Sequence, residues 1–170
     1  MSVKKIIKKF FLSSRIYNFL IAQNEIKEIT HIPADPWPGD PSLAESFFKG
    51  DYILAGRKVS CRKNIVWAVE EKDKNWVDEL HSFSWLRHLK ARSGPLARKH
   101  AKFMINNWII HNKNWCEKSW KLDVLARRIS SWTSNMSFLL ADKEENFSIC
   151  LRKSMLKQIA HLNNLPDMLC

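Results

Sequence analysis

The sequence is poor in the residues that build turn-rich proteins. Its 170 residues include only four glycines and six prolines, which disfavours an architecture of many short strands and tight turns. It also lacks a glycine-rich phosphate loop, a Gly-x-Ser-x-Gly motif and a His-Glu-x-x-His motif. The common signatures of nucleotide, serine-hydrolase and zinc-protease sites are therefore missing. Taken alone, the residues indicate a helical protein and show no catalytic constellation.

Cysteine is present but not in a pattern that binds metal. Cys61, Cys116, Cys150 and Cys170 are widely spaced and form no Cys-x-x-Cys pair. This spacing disfavours both a metal site and a disulfide framework. The simpler interpretation is buried or incidental thiols in a reducing compartment. We expect no metal and no cofactor.

Long apolar runs are also missing. No stretch approaches the roughly 18 apolar residues of a membrane span. In the basic amino terminus, Lys8, Lys9 and Arg15 interrupt the apolar run that a secretory signal needs. Residues 3–12 still have an apolar helical face, which fits either peripheral membrane contact or docking on the domain.

What the chain has in excess is positive charge and tryptophan. Lys and Arg number 28 against 17 acidic residues, for a net charge of +11, and there are eight tryptophans. This balance indicates an acidic partner, which could be nucleic acid, an anionic membrane or an acidic polysaccharide. The basic residues are spread along the chain without a nucleic-acid-binding motif, which disfavours nucleic acid.

The pattern along the chain predicts three segments. Residues 1–30 form a basic amphipathic lead-in, 31–50 a proline-rich linker with a short helix from about Pro41 to Lys49, and 51–170 a helical domain. That domain begins with a small β-hairpin near residues 51–69, with β-leaning runs at 52–54 and 65–69. The expected fold is mainly α, with antiparallel helical hairpins from helices at about 75–92, 95–112, 121–135 and 144–163.

The stretch Trp120–Trp132 is the most informative one. Asp123 and Arg127 are four residues apart, as are Arg128 and Trp132, so each pair shares a helix face. Leu122, Leu125, Ala126 and Ile129 form an apolar stripe of the same period. The polar pairs fit either a structural ion pair that fixes a helix end or a surface that binds an acidic group.

A second strip lies at the start of the helical domain. His81, Trp85, His88 and Arg92 would share one face of the predicted helix 75–92. The two histidines are separated by about 10 Å of helical rise, too far to hold one metal ion. The strip fits either a polar, aromatic cleft lining or buried residues satisfied by hydrogen bonds. Together the two stretches give the candidate substrate-binding residues: Trp85, His88, Arg92, Asp123, Arg127, Arg128 and Trp132.

These motifs also resemble, in their order, the amino-terminal part of bacterial heparinase II/III-like proteins of the alphaproteobacterial type. The resemblance covers about residues 4–162. It rests on Asp35–Asp40, Leu80–Leu89, Trp108, Trp120–Trp132 and Leu151–Leu162.

The resemblance implies an incomplete α/α toroid followed by a β-sandwich, and a polysaccharide lyase that cleaves uronate-containing chains by β-elimination. It implies a periplasmic or cell-envelope location, although the poor export signal leaves the cytoplasm open. Family proteins carry their catalytic Asn or His, Tyr and His later in the toroid and in the sandwich. None of those roles falls on a residue of this chain.

The expected partners are therefore an acidic polysaccharide and the carboxy-terminal part of the same enzyme. We expect a truncated or split gene product, or one part of a larger enzyme, that is inactive alone. The alternatives are a non-catalytic module that binds acidic glycans and, less favoured, a basic helical nucleic-acid binder.

Overall fold

The computed structural model describes residues 32–61, 66–69 and 71–164. The predicted lead-in 1–30, with its membrane-contact segment 3–12, lies outside them. The described chain is mainly helical with one two-stranded antiparallel sheet, as the sequence predicts. Its elements in order are α1 (Pro41–Phe48), β1 (Asp51–Leu54), β2 (Arg57–Ser60), α2 (Lys74–Ser82), α3 (Leu86–Arg92), α4 (Gly94–His111), α5 (Leu122–Ser134), α6 (Met136–Leu139) and α7 (Glu145–Asn164). Across the described residues, every helix is too short or too polar to cross a bilayer.

Helix α1 begins at the predicted residue, and Asp40 caps it. The Asp40 carboxylate accepts a hydrogen bond from the backbone N–H of Ser42 at 2.8 Å, and Pro41 occupies the first turn, where its missing N–H costs nothing. The helix ends at Phe48, and Gly50 then adopts a left-handed conformation with φ 77°. This turn leads the chain directly into β1.

The β-hairpin is present but is shorter than predicted. Strands β1 and β2 pair antiparallel around Ala55 and Gly56, both of which have positive φ, as a tight two-residue hairpin turn requires. The predicted strand at 65–69 is wrong, because Val66–Ala68 forms a 3-10 turn. There the Trp67 ring stacks on Phe83 with centroids 5.3 Å apart, so tertiary packing overrides the β propensity of this run.

The predicted helix 75–92 is two helices. Helix α2 ends at Ser82, and Phe83 takes the left-handed conformation with φ 58° before α3 begins at Leu86. Left-handed backbone strains a non-glycine residue. Phe83 is completely buried here, so its packing sustains that conformation. No glycine or proline near Phe83 marks this break in the sequence.

Helices α4, α5 and α7 match the predicted ranges within a residue or two. Helix α4 buries one mainly apolar face, and α7 buries Phe147, Leu151 and Met155. In α5 the buried face differs from the predicted stripe. Leu125 is buried as expected, but Ala126 is exposed and Leu122 is 44% exposed. The other buried residues of this helix are Val124, Arg128, Ser131, Trp132 and Ser134.

The proline-rich segment is held tightly against α3. A Cβ atom on Gly39 would lie 2.1 Å from the carbonyl oxygen of Arg87 and 2.7 Å from the Cβ of Ala91. The next residue, Asp40, donates its backbone N–H to Nδ1 of His88 at 2.8 Å. Glycine at position 39 therefore permits an approach that no other residue allows.

We expect Gly39→Ala to lower the free energy of unfolding by about 2 kcal/mol or more, because the added methyl group overlaps backbone atoms. Gly56→Ala is the matched control. Gly56 also needs positive φ but has open space around it, so only about 1 kcal/mol of backbone strain is expected. Urea denaturation of both variants measures the difference. An equal or smaller loss for Gly39→Ala would contradict the close approach.

Candidate functional site

Three of the predicted site residues lie in the core. Trp85 is 1% exposed, and Arg128 and Trp132 are fully buried. The Phe83 ring lies between the two indoles, stacked on Trp85 at 5.0 Å and edge-to-face with Trp132 at 5.3 Å. These are ordinary favourable aromatic geometries. The structure thus gives these three side chains a packing role.

Arg128 is a buried cation bonded to neutral acceptors. Its guanidinium donates to Oε1 of Gln158 at 2.7 Å and to the carbonyl oxygens of His81 and Ser119 at 2.9 and 2.8 Å. Its Cζ also lies 4.0 Å from the centre of the Trp108 ring, within cation–π range. The His81 carbonyl belongs to the last turn of α2, whose negative dipole end favours a cation. Arg128 therefore ties α5 to α2, α4, α7 and the 119–120 turn.

Two neighbouring carbonyls at the break after α2 also accept side-chain hydrogen bonds. Ser131 Oγ donates to the Phe83 carbonyl at 2.6 Å, and Nε1 of Trp85 donates to the Leu80 carbonyl at 3.0 Å. Helix ends leave carbonyl groups without intrahelical partners. Side chains of α5 and of the corner itself thus complete the break at Phe83. We call residues 80–86 the α2–α3 corner.

His88 and Arg92 bind α3 to the segment before it. His88 is half-buried and accepts the Asp40 N–H, while Arg92 forms an exposed ion pair with Glu45 of α1. Burial and the adjacent charge of Arg87 lower the pKa of His88 below its ordinary value, which keeps the ring neutral and able to accept. Both contacts are structural within this chain.

Arg127 and Asp123 lie on the exposed side of α5. The Arg127 guanidinium pairs with Glu79 at 3.2 Å and with Asp123 at 3.6 Å, which matches the predicted four-residue spacing. The Arg127 side chain is 42% exposed and that of Asp123 57%. Exposed pairs of this kind exchange partners at little cost. Of the predicted residues, Arg127 is the cation best placed to meet a ligand.

Arg127 also lines a concave site that the sequence reasoning missed. We call it the Trp37 cleft. It has a volume of about 300 Å³ and lies between the proline-rich segment, the α2–α3 corner and α5. Its lining residues are Pro33, Ala34, Asp35, Pro36, Trp37, Ser84, Arg87, Arg127, Ser130, Ser131 and Ser134.

Asp35 organises one wall of this cleft. Its Oδ1 accepts the backbone N–H of Trp37 at 3.1 Å, and its Oδ2 lies 3.4 Å from Nε of Arg87. Nε of Arg87 is buried, so its contact is the ion pair with Asp35 and it is not open to a ligand. The Trp37 side chain is 66% exposed. The cleft thus combines an open indole, two guanidinium groups and the hydroxyls of Ser84 and Ser130.

The signal for the cleft was present in the sequence, in the dense prolines around Trp37, which predict a stiff and extended segment. Proline spacing does not reveal which helices such a segment meets. The pairing of Asp35 with Arg87 spans 52 positions along the chain and depends on the α2–α3 corner.

Within the described ranges, the side chains do not form a recognised catalytic or metal site. No group of three His, Cys, Asp or Glu side chains there could hold a metal ion. Tyr52 is buried beside Met104, with its hydroxyl 3.4 Å from the Met104 sulfur, and burial raises the pKa of its phenol. Tyr52 therefore does not act on a ligand in the cleft.

Comparison of the chain with protein-family models, with curated proteins and with solved structures finds no match. The geometry of the Trp37 cleft therefore carries the functional argument.

We expect Arg128→Ala to lower the free energy of unfolding by about 3–5 kcal/mol, because it leaves buried acceptors without donors and removes the ring contact with Trp108. Arg127→Ala, on the exposed side of the same helix, should cost less than about 1 kcal/mol. Urea denaturation monitored by circular dichroism tests the pair. Similar losses for the two variants would contradict the roles assigned to these arginines.

His81 should make the fold sensitive to acid. Its Nδ1 accepts the indole N–H of Trp108 at 3.0 Å, which requires a neutral ring. Burial and the charge of Arg128 lower the pKa of His81 from 6.5 to about 3. The unfolded chain therefore binds this proton more readily than the folded chain. The contribution to stability is fully present above pH 6.5 and is lost as the pH falls toward 3.

We expect this group to remove about 2–3 kcal/mol of stability between pH 6.5 and about pH 4.5. Urea denaturation across this range measures the loss. His81→Gln, which keeps a hydrogen-bond acceptor, should show a flatter profile; His88 and His100, whose pKa values are also lowered by burial, supply the remaining slope. An unchanged profile in His81→Gln would contradict the assignment.

Proposed function

We propose that this chain binds acidic polysaccharide as the amino-terminal α/α-toroid portion of a heparinase II/III-like lyase. In this proposal the chain positions a uronate-containing polymer in the Trp37 cleft. The β-elimination is performed with residues supplied by the carboxy-terminal part of the enzyme, so the chain is inactive alone.

The observation that carries the proposal is the composition of the Trp37 cleft. A sugar ring presents an apolar face that stacks on an exposed indole such as that of Trp37. Its hydroxyl groups exchange hydrogen bonds with serine side chains, here Ser84 and Ser130. A carboxylate or sulfate group pairs with guanidinium, for which Arg127 is available, while Arg87, ion-paired with Asp35, adds positive charge to the wall. Few other ligand classes would use all three kinds of group together.

The charge of the chain supports the same ligand class. The net charge of +11 attracts polyanions over long range. Arg127 at the cleft is neutralised by Asp123, which is exposed, and by Glu79, whose side chain is 30% exposed. A ligand carboxylate can replace Asp123 because exposed ion pairs are weak.

The order of the helices supports the toroid part of the proposal. Contacts between α2 and α5 advance in the same direction along both helices, from Glu79 with Arg127 to His81 with Arg128. The same direction holds for α4 and α7, from Lys102 with Glu144, just before α7, to Lys113, just after α4, with Lys157. Parallel alternate helices are what a ring of successive helical hairpins requires.

A second candidate is a non-catalytic module that binds acidic glycans. Among residues 32–61, 66–69 and 71–164, no recognised acid–base set lies beside the Trp37 cleft. This favours the second candidate. Both candidates predict the same ligand and differ only in whether a catalytic part completes the site.

We expect the chain to be retarded in gels that contain a heparan-like or other polyuronate polymer. Trp37→Ala and Arg127→Ala should each weaken binding about fivefold, the effect of losing one stacking or ion-pair contact. The matched controls are Phe103→Ala and Lys99→Ala, which remove an exposed aromatic group and an exposed cation on α4. Equal retardation of the cleft variants and their controls would overturn the assignment of the cleft.

A lyase assay tests the second part of the proposal. The chain alone should release no unsaturated uronate product from the polymers that it binds. Turnover by the isolated chain would show that its own residues complete an active site.

A further inference from the structure

A second concavity lies at the other end of α5. We call it the Trp115 groove. Its volume is about 840 Å³, and its walls are the start of α2 and the connection that leads into α5. It shares no lining residue with the Trp37 cleft. The residues that matter here are Val77 and Trp115, with Lys72, Lys74, Lys118 and Lys121 around them.

The interior of the groove is apolar. Val77 and Trp115 are both partly buried and leave the rest of their surface in the groove. The lysine stems add methylene groups, because long charged side chains cover apolar surface while their ammonium groups stay in water. A volume of this size lies within the range of small-molecule sites, which are mostly apolar with a few polar groups.

Lysines outnumber acidic residues among the described residues that line the groove. Glu71 pairs with Arg57 at 3.3 Å, and Asp78 pairs with Lys121 at 2.6 Å. Lys72, Lys74 and Lys118 have no carboxylate partner within ion-pair distance among the described residues. Glu117 is the remaining acidic residue at the rim, so these three lysines outnumber it.

We propose that the Trp115 groove binds a small anionic amphiphile, a molecule with an aliphatic or aromatic body and one carboxylate, phosphate or sulfonate group. The body would lie against Trp115 and Val77, where its burial drives binding. The anionic group would meet Lys72, Lys74 or Lys118 at the rim. Sugars fit this groove less well, because its described lining residues include no serine, in contrast to the Trp37 cleft.

The test uses 8-anilinonaphthalene-1-sulfonate, a fluorescent anionic amphiphile, with the full 170-residue chain. We expect saturable binding with one site per chain. The double variant Lys72→Glu/Lys118→Glu should weaken binding about tenfold or more, since two rim cations are reversed. Reversing a cation elsewhere, in Lys99→Glu, should leave binding unchanged. Cooperative urea denaturation of each variant checks that the dye does not report unfolding.

Competition identifies the ligand class. Decanoate should displace the dye, whereas decanol, which has the same chain length and no charge, should compete at least tenfold less well. Trp115→Ala should weaken dye binding, and Trp37→Ala should not. The last variant separates this inference from the proposed function, because loss of polysaccharide binding at the Trp37 cleft leaves the dye response intact.

Cys116, an exposed thiol in the groove, provides a second measurement. Decanoate should slow its alkylation by neutral iodoacetamide several-fold, with Cys116→Ser identifying the signal of this residue. Equal dye binding by the double variant and the Lys99→Glu control would overturn the proposal. Displacement of the dye by an acidic oligosaccharide but not by decanoate would also overturn it, since the groove would then be a sugar site.

Discussion

The fold is organised around the buried guanidinium of Arg128. It bonds to α2 through the His81 carbonyl and to α7 through Gln158, and it stacks on Trp108 of α4. A buried cation is costly unless its donors are used. Here Nε and Nη1 donate to neutral oxygens and the dipole end of α2 takes the place of a carboxylate, while Nη2 makes no hydrogen bond. Because the Arg128 guanidinium contacts α2, α4 and α7 at once, these helices cannot shift independently.

The candidate site depends indirectly on the contacts of Arg128. Arg128 and Ser131 satisfy the end of α2, which allows Phe83 to leave the helical conformation. The resulting corner turns α3 so that Arg87 faces the proline-rich segment and pairs with Asp35. The Trp37 cleft is therefore a product of the same polar network that closes the core. Its binding groups are at the surface, while the contacts that position them are buried.

Sequence periodicity predicted the longer helices well because their apolar faces repeat over many turns, as in α4. Periodicity failed where the packing of a single side chain determined the local structure. No glycine or proline marks the break at Phe83. The run at 65–69 has strand propensity, but it forms a 3-10 turn that packs Trp67 on Phe83. The buried face of α5 also differs from the predicted stripe, because a sequence pattern assigns a charged residue such as Arg128 to the surface.

The sequence by itself determined the helical class, the capped start of α1, the hairpin and the Asp123–Arg127 pair. Each of these depends on neighbours within a few positions. Only the tertiary structure decided that Arg128 is interior while Arg127, one position earlier, is at the surface. Only the tertiary structure placed Trp37 and Arg127 in the same cleft. Both outcomes depend on contacts between residues far apart in sequence, which local patterns do not encode.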